Sequence, residues 1–397
     1  MLDENVMQAV ALCEETAERE VYPEQWPAMP PIPAARYTDR KLYELEMEHL
    51  WMKTWVLGAH MSELPQPGDY RLFKYLGQNV IISHGTDGEV RAFHNICTHR
   101  SAPLVLEDSG NAKRFLCPYH SWNFAIDGRL TNVPMEFNFP CIEKAKLNLM
   151  PVNMTVWRGF VFLNFAKDPI PFEEFMSPVI SRLKDFPLEE MEVKRTQRFE
   201  LAANWKGVVD NFNESYHLNT VHPSISRWIN SRSFVVQPLK YGHAIQTTLR
   251  NSRNRYVDER PSPPGSFPMF EEVIVNMPIF PNLSGGLDLR GFVWDTFWPV
   301  DQDNMIMDIR LMGWKGNTDE PYWDSAMNDN IGFTHEDLAL LPAVHAAMRS
   351  GHVKEIHVGY QEMDIYWYHE EIDRLIGAEN VPAELRMKPV LAPHAQA

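Results

Sequence analysis

Cysteine is scarce in this chain. Four occur in 397 residues, Cys13, Cys97, Cys117 and Cys141, too few for a disulfide-built scaffold of this size. No apolar run reaches the roughly 18–20 residues that cross a bilayer, and the first residues, MLDENVMQAVALCEETAEREV, are acidic where a secretory leader is basic. A soluble, cytoplasmic protein without a membrane partner is expected. Basic residues are in deficit, with 37 Lys and Arg against 53 Asp and Glu and a formal net charge of −16; that argues against a nucleic-acid partner, which needs a Lys/Arg surplus on at least one face. No internal repeat is visible. What is plentiful is apolar surface, 44% hydrophobic and 12% aromatic, enough for one large domain or two moderate ones.

Along the chain, Leu2, Val6, Val10 and Cys13 share one helical face, and five prolines between Pro23 and Pro33 end any helix there. A second helix, KLYELEMEHLWMKTW, leads into strand-like runs DYRLFKYL, NVIISHG, EVRAFHNI and FVFLNFA, separated by Gly, Asp and Asn turn signals. These describe a small antiparallel β domain. After Phe165 the pattern changes to a helical stretch over 203–220 and then strand-like runs FVVQPLKYG, HAIQTTLR, EEVIVNM, GFVWDTFWPV and NMIMDIRLMGW. Two late helical runs, HEDLALLPAVHAAM and QEMDIYWYHEEIDRLIG, close the chain, the second ending at Gly377. The proline-rich run at 261–268 is expected to be a loop.

Two clusters of metal-ligand types stand out. CTHRSAPLVLEDSGNAKRFLCPYHSW contains Cys97, His99, Cys117 and His120, a Cys-x-His pair followed by a Cys-x-x-His pair. Ligand type alone leaves zinc and iron–sulfur open. A zinc finger segregates its cysteines from its histidines, whereas here each pair is mixed, as in a Rieske [2Fe–2S] centre with two thiolates on one iron and two imidazoles on the other. Further on, NWKGVVDNFNESYHLNTVHPS contains Glu214, His217 and His222. Glu214 and His217 share a helical face. Pro223 disfavours helix at His222, so the chain can fold that residue back toward His217. Two histidines and a carboxylate on one side of a ferrous ion leave positions open for dioxygen. The carboxylate is either Glu214 or one from the late helix beginning at His335-Glu336-Asp337. His352 and His357 repeat the spacing but have Arg349 where the other pair has Glu214, and they are expected to be ordinary histidines.

With both motifs in this order, the sequence resembles the α subunit of Rieske non-haem iron oxygenases over nearly its full length. The resemblance implies an α+β protein: an N-terminal helix and arm (1–45), a Rieske β-sandwich domain (46–165), and a catalytic domain (166–397) with a large antiparallel sheet flanked by helices, of helix-grip type. It implies that Cys97 and Cys117 hold one cluster iron and His99 and His120 the other, with Pro118 and Trp122 as the flanking loop and aromatic shield. It makes His217, His222 and Asp337 the mononuclear iron ligands, with His345 at a position usually Gln and Glu336 as the fallback carboxylate. Glu214 falls where a family carboxylate bridges a cluster histidine of one subunit to an iron histidine of its neighbour in a head-to-tail trimer; most members have Asp there, and branches acting on quaternary amines such as carnitine have Glu. Ser101 replaces a common Gly. Asn211, Phe212 and Leu218 fall near the substrate. The implied activity is hydroxylation of a hydrophobic, ring-containing substrate with O2, using electrons from NADH or NADPH delivered by a reductase, a ferredoxin or both. Removal of O- or N-methyl groups, or attack on a quaternary amine, is the alternative, and bare electron transfer the second alternative. The length resembles α-only homotrimers, with an accompanying β subunit left open.

Overall fold

A computed structural model describes residues 2–223, 228–251, 272–288 and 291–396. The proline-rich run at 261–268 lies outside them. The chain forms two compact units, Met52–Phe172 and a discontinuous one made of Met1–Trp51 with Glu173–Ala397.

The Met52–Phe172 unit is built from ten antiparallel strands: β1 (Val56–His60), β2 (Asp69–Phe73), β3 (Val80–His84), β4 (Val90–His94), β5 (Ser109–Asn111), β6 (Arg114–Leu116), β7 (Asn123–Ala125), β8 (Leu130–Asn132), β9 (Asn153–Trp157) and β10 (Phe160–Asn164). They make three sheets, ordered β9-β10-β1, β4-β3-β2-β5 and β6-β7-β8. The expected runs 69–76, 79–85, 89–96 and 160–166 each become a strand. Cys97 and Cys117 belong to the core shared by Tyr70, Ile81, Phe93, Phe115, Trp122 and Phe124.

The larger unit begins with α1 (Leu2–Glu18), whose Cys13 is fully buried and donates to the Thr247 carbonyl. Burial pushes that thiol up to about 12, so Cys13 packs as a small apolar residue. After the proline arm come α2 (Arg40–Glu46), extended by a wider turn over Met47–Trp51, and then two four-stranded antiparallel sheets. One runs β11 (Met191–Leu201), β18 (Met305–Trp314), β17 (Phe292–Pro299) and β15 (Leu283–Ser284); the other runs β12 (Val235–Pro238), β13 (Ala244–Leu249), β14 (Val273–Asn276) and β16 (Gly286–Leu287). Besides a short helix at Ser177–Leu183, the described helices after α2 include α3 (Trp205–Phe212), α4 (Leu218–Val221), α5 (Glu320–Leu338), α6 (Leu341–Arg349) and α7 (Met363–Ile376), the last ending at Gly377 with φ of 84°. The fold is α+β, as expected.

Three local expectations are corrected. β11 is a strand that the pattern did not signal, because MEVKRTQRFEL carries charges on its half-exposed side. The helix over 203–220 is broken: Glu214 Oε2 accepts the backbone N–H groups of Tyr216 and His217, competing with helical bonding at that turn. The late helix does not begin at His335; His335, Glu336 and Asp337 form the last turn of α5.

Inside this unit Lys206 Nζ lies 2.7 Å from Glu46 Oε1, both side chains fully buried, and the Trp205 indole donates to Glu46 Oε2 at 3.1 Å. This ties α3 to the N-terminal segment. Removing one member strands a buried charge, so Lys206→Met should lower stability by about 3–5 kcal/mol, and adding Glu46→Leu should recover most of it; urea denaturation of the three proteins checks this.

His243 is buried and neutral. Its Nε2–H donates to the Phe175 carbonyl at 2.9 Å and its Nδ1 accepts the Phe280 N–H at 3.1 Å, and burial pushes its pKa down to about 4. The unfolded chain therefore binds the proton more readily below about 6.5, and stability present above that pH is lost on acidification toward 4, by about 3 kcal/mol. A His243→Gln variant should show a correspondingly flatter fall in denaturation midpoint between pH 7 and 4.

Candidate metal centres

In the Met52–Phe172 unit two loops are built alike. Cys97 N donates to the Ala102 carbonyl and Ser101 N to the Cys97 carbonyl; Cys117 N donates to the Trp122 carbonyl and Ser121 N to the Cys117 carbonyl, all at 2.8–3.0 Å. Each loop closes on a serine in the left-handed region, Ser101 with φ of 59° and Ser121 with φ of 57°. That conformation explains why glycine suits the first position. Asn95 holds the first loop, accepting from Leu104 N at 2.8 Å and donating to the Val105 carbonyl at 2.7 Å.

The two loops bring Cys97, Cys117, His99 and His120 together. The His99 and His120 rings are 4.6 Å apart, and Trp122 stacks on His99 at 4.7 Å and 5°. Both histidines keep a buried Nδ1 with no hydrogen-bond partner, and the Cys97 thiol is pushed up to about 11 by burial, with neighbouring Cys117 adding to it. Two buried thiols and two orphaned imidazole nitrogens in one place fit an iron–sulfur cluster, since such atoms are normally satisfied.

In the larger unit one ligand atom each from His217, His222 and Asp337 lies within 4.8 Å of the others. Asp337 Oδ1 is 2.9 Å from His222 Nε2 and 3.5 Å from His217 Nε2. The opposite ring nitrogens are already held: His217 Nδ1 by Glu214 Oε1 and His222 Nδ1 by Glu336 Oε2 at 2.7 Å. Each carboxylate accepts a hydrogen bond from Nδ1–H and leaves the Nε2 lone pair free for a metal, the usual support of a metal-bound histidine. Burial raises the Asp337 pKa, opposed by His222, His217 and Asn211. For His217, burial alone would lower the pKa, but Glu214 and Asp337 raise it. Two carboxylates at the C-terminal, negative end of α5 are unfavourable without a nearby cation, so the donor set fits a divalent metal.

The family description "Ring hydroxylating alpha subunit (catalytic domain)" matches residues 188–378, and "Rieske [2Fe-2S] domain" matches residues 54–143. This chain belongs to the Rieske oxygenase α subunits. The cofactors of this α subunit are accordingly a [2Fe–2S] cluster in the Rieske domain and a non-haem iron in the catalytic domain. It is 35% identical over 244 residues to the carnitine monooxygenase oxygenase subunit of Acinetobacter pittii, covering 60% of this chain and 63% of that one. It is 31% identical over 192 residues to the chlorobenzene dioxygenase subunit alpha of a Cupriavidus species, covering 46% and 42%. The matched stretch spans less than two-thirds of either relative. A solved quaternary ammonium Rieske monooxygenase shares the fold with a TM-score of 0.79 at 24% identity, over 90% of this chain and 99% of that one.

Of the residues singled out in the sequence, Asn211 lies beside Asp337, Phe212 packs on Phe297 with ring centroids 5.1 Å apart, and Leu218 opens the short helix between the two histidines. Glu336, the fallback ligand, sits on His222 Nδ1, away from the converging nitrogens. His345 is elsewhere, bonded to Asp303 at 2.9 Å. His352 and His357 are exposed. One buried residue near the triad was missed: Asp295, pushed up to about 8 by burial and by Asp337. Its signal was an Asp inside the apolar run GFVWDTFWPV.

A left-handed non-Gly residue costs about 1–2 kcal/mol. Ser101→Gly should therefore stabilise the Rieske domain by about 1 kcal/mol, read from the thermal midpoint of the cluster's visible absorption.

Proposed function

We propose that this α subunit is the terminal oxygenase of a multicomponent system in the cytoplasm, hydroxylating a hydrophobic, ring-containing substrate with O2. Electrons originate in NADH or NADPH and arrive through a reductase, a ferredoxin or both, and the assembly is a homotrimer. The observation that carries the reading is the convergence of His217, His222 and Asp337 with both distal ring nitrogens held by carboxylates. In this reading those three residues hold the iron, and Cys97, Cys117, His99 and His120 hold the cluster.

When bound, the two iron groups supply one-electron transfer and dioxygen activation. The chain's own residues prepare the place for it. Glu214 and Glu336 fix which nitrogen of each imidazole carries the proton and which way each ring faces. Asp337, with Asn211 beside it, contributes the anionic donor and leaves the remaining directions open. Phe212 and Phe297 form an apolar wall that keeps water from the reacting carbon. Glu214 has a second task in the trimer. A carboxylate offers about four acceptor positions, and three are occupied in this chain, by His217 Nδ1 and by the N–H groups of Tyr216 and His217. The remaining one can meet a histidine of a neighbouring subunit's cluster and link the two redox groups.

A second reading is attack on an N-methyl group of an organic cation, favoured by the carnitine and glycine betaine monooxygenase relatives and by Glu at position 214. Labelled dioxygen, a surrogate reductase and a panel of arenes and methylated amines, followed by oxygen uptake and product mass, tests both. A hydroxylated ring supports the first reading and formaldehyde release the second. An iron content no higher than the two of the cluster, with no oxygen uptake, would reduce the protein to an electron carrier.

Glu214→Ala, saturated with iron so that iron analysis and the visible spectrum show both metals present, should lose turnover by about 100-fold. Undiminished product formation in an iron-replete variant would remove the bridging role.

A further inference from the structure

Gly207 sits inside α3, where a glycine weakens a helix relative to alanine. Neither backbone nor packing demands it: its φ is not in the left-handed region, and a Cβ built there would meet only Tyr37 Cδ1, at 3.8 Å, an ordinary contact. What the missing side chain leaves is space. Gly207 lines a cavity of about 130 Å³ with an apolar wall, formed by Leu341, Val344 and Met348 of α6 together with Ile356, Val358 and Ile365. Val344 is 45% exposed and marks the way in. None of His217, His222, Asp337, Asn211 and Phe212 lines this cavity, so it is separate from the candidate iron site.

The polar side chains around the cavity are engaged with the protein. Asn204 accepts from Lys206 N at 3.1 Å and donates to the Gln302 carbonyl at 2.8 Å, and His345 Nε2 lies 2.9 Å from Asp303 Oδ1. The Tyr37 hydroxyl donates to Asp210 Oδ2 at 2.5 Å. His369 Nε2, whose other ring nitrogen accepts from Arg36 at 2.9 Å, faces the same oxygen at 3.4 Å. Asp210 is 7% exposed, and its Oδ1 is buried with no hydrogen-bond partner among the described residues. Glu362 Oε2 accepts the Gly359 N–H at 2.7 Å, and burial, with Glu214 and Asp210 acting the same way, pushes this carboxyl up. The cavity therefore presents an unmet acceptor on an apolar lining rather than a cage of negative charge. A buried acceptor without a partner is costly, and one that faces open space is satisfied when a donor enters.

We infer that this cavity is a second binding site, for a small neutral hydroxylated hydrocarbon whose compact body lies against α6 and whose O–H donates to Asp210 Oδ1. Size sets the body, since an apolar cavity of about 150 Å³ accommodates benzene. The unmet acceptor sets the hydroxyl; an ammonium group would have to leave water for a largely apolar lining. The occupant touches both elements that lead to the candidate iron ligands. Leu341 follows Asp337 by four residues, and Asp210 precedes Asn211, which lies beside Asp337. Binding that favours one packing of α3 on α6 thus reaches the triad, and the state of the triad affects binding by the same factor. The site holds under either substrate reading.

The test is calorimetric titration of the iron-loaded full chain with phenol and with fluorobenzene, which has nearly the same size and no donor. The native protein should bind phenol with a Kd of about 1 mM or tighter, and about 10-fold more tightly than fluorobenzene. Rings can also enter the iron site's own pocket, so the share of this cavity is read as the difference from Gly207→Leu, whose side chain fills it. That variant should weaken the phenol binding by about 10-fold or more. Gly207→Ala, which only trims the cavity, should raise the thermal midpoint by about 2–4 °C while weakening phenol binding by about threefold, a loss that misfolding does not explain. In Asp210→Asn the side-chain oxygen can still serve Tyr37 and His369 while the amide N–H turns to the cavity, and phenol and fluorobenzene should bind within about threefold of each other. Absence of phenol binding to the native protein, undiminished binding in the Gly207 variants, or an Asp210→Asn protein that keeps the preference overturns the inference.

Discussion

The cluster of His217, His222 and Asp337, proposed to hold the iron, depends on two carboxylate–imidazole contacts, Glu214 with His217 and Glu336 with His222. Each fixes a tautomer, and only with Nδ1 protonated and held can Nε2 turn toward Asp337. The rest of the local structure follows from meeting that condition. The helix through Trp205 has to stop before His217, and the residue that stops it is Glu214, which caps the next turn with one oxygen while holding the ring with the other. Glu336 and Asp337 are adjacent on α5, yet one addresses the distal nitrogen of His222 and the other the proximal side of both rings.

The cluster pocket solves a similar problem without carboxylates. Its two loops repeat one backbone pattern, and the histidines are held by packing, Trp122 against His99 and Arg100 over Tyr119 beside His120. Their Nδ1 atoms stay unsatisfied. An imidazole meant for a metal can be prepared either by occupying the other nitrogen or by burying the ligating one, and this chain uses both.

Much of this was legible in the sequence, and what was not has physical reasons. The Rieske domain could be read because cysteine and histidine in mixed, closely spaced pairs, Cys97 with His99 and Cys117 with His120, have few other uses. His217 and His222 could be read because Pro223 marks where the helix must end. Asp337 was reached through family resemblance, since nothing local separates it from Glu336; the difference lies in which side of the His222 ring each one faces, and that is set by the helix packing. β11 was missed because an edge strand with one half-exposed side carries the charges of a loop. Asp295 was visible as a letter but not as a buried acid near Asp337, because burial is a property of the folded sheet.

The discontinuity of the larger unit has a consequence for how the protein is made. Residues 52–172 form a compact unit within one uninterrupted stretch, so on the ribosome the cluster pocket is complete before most of the chain exists. Residues 1–51 emerge earlier still but must wait for their partners: Glu46 for Lys206, Arg36 for Asp373. Two buried half-pairs are thus carried unpaired while the intervening unit is synthesised and folds. The chain thus has a built-in order of completion, the loops carrying Cys97, His99, Cys117 and His120 first and the His217, His222 and Asp337 cluster only once α5 has been made.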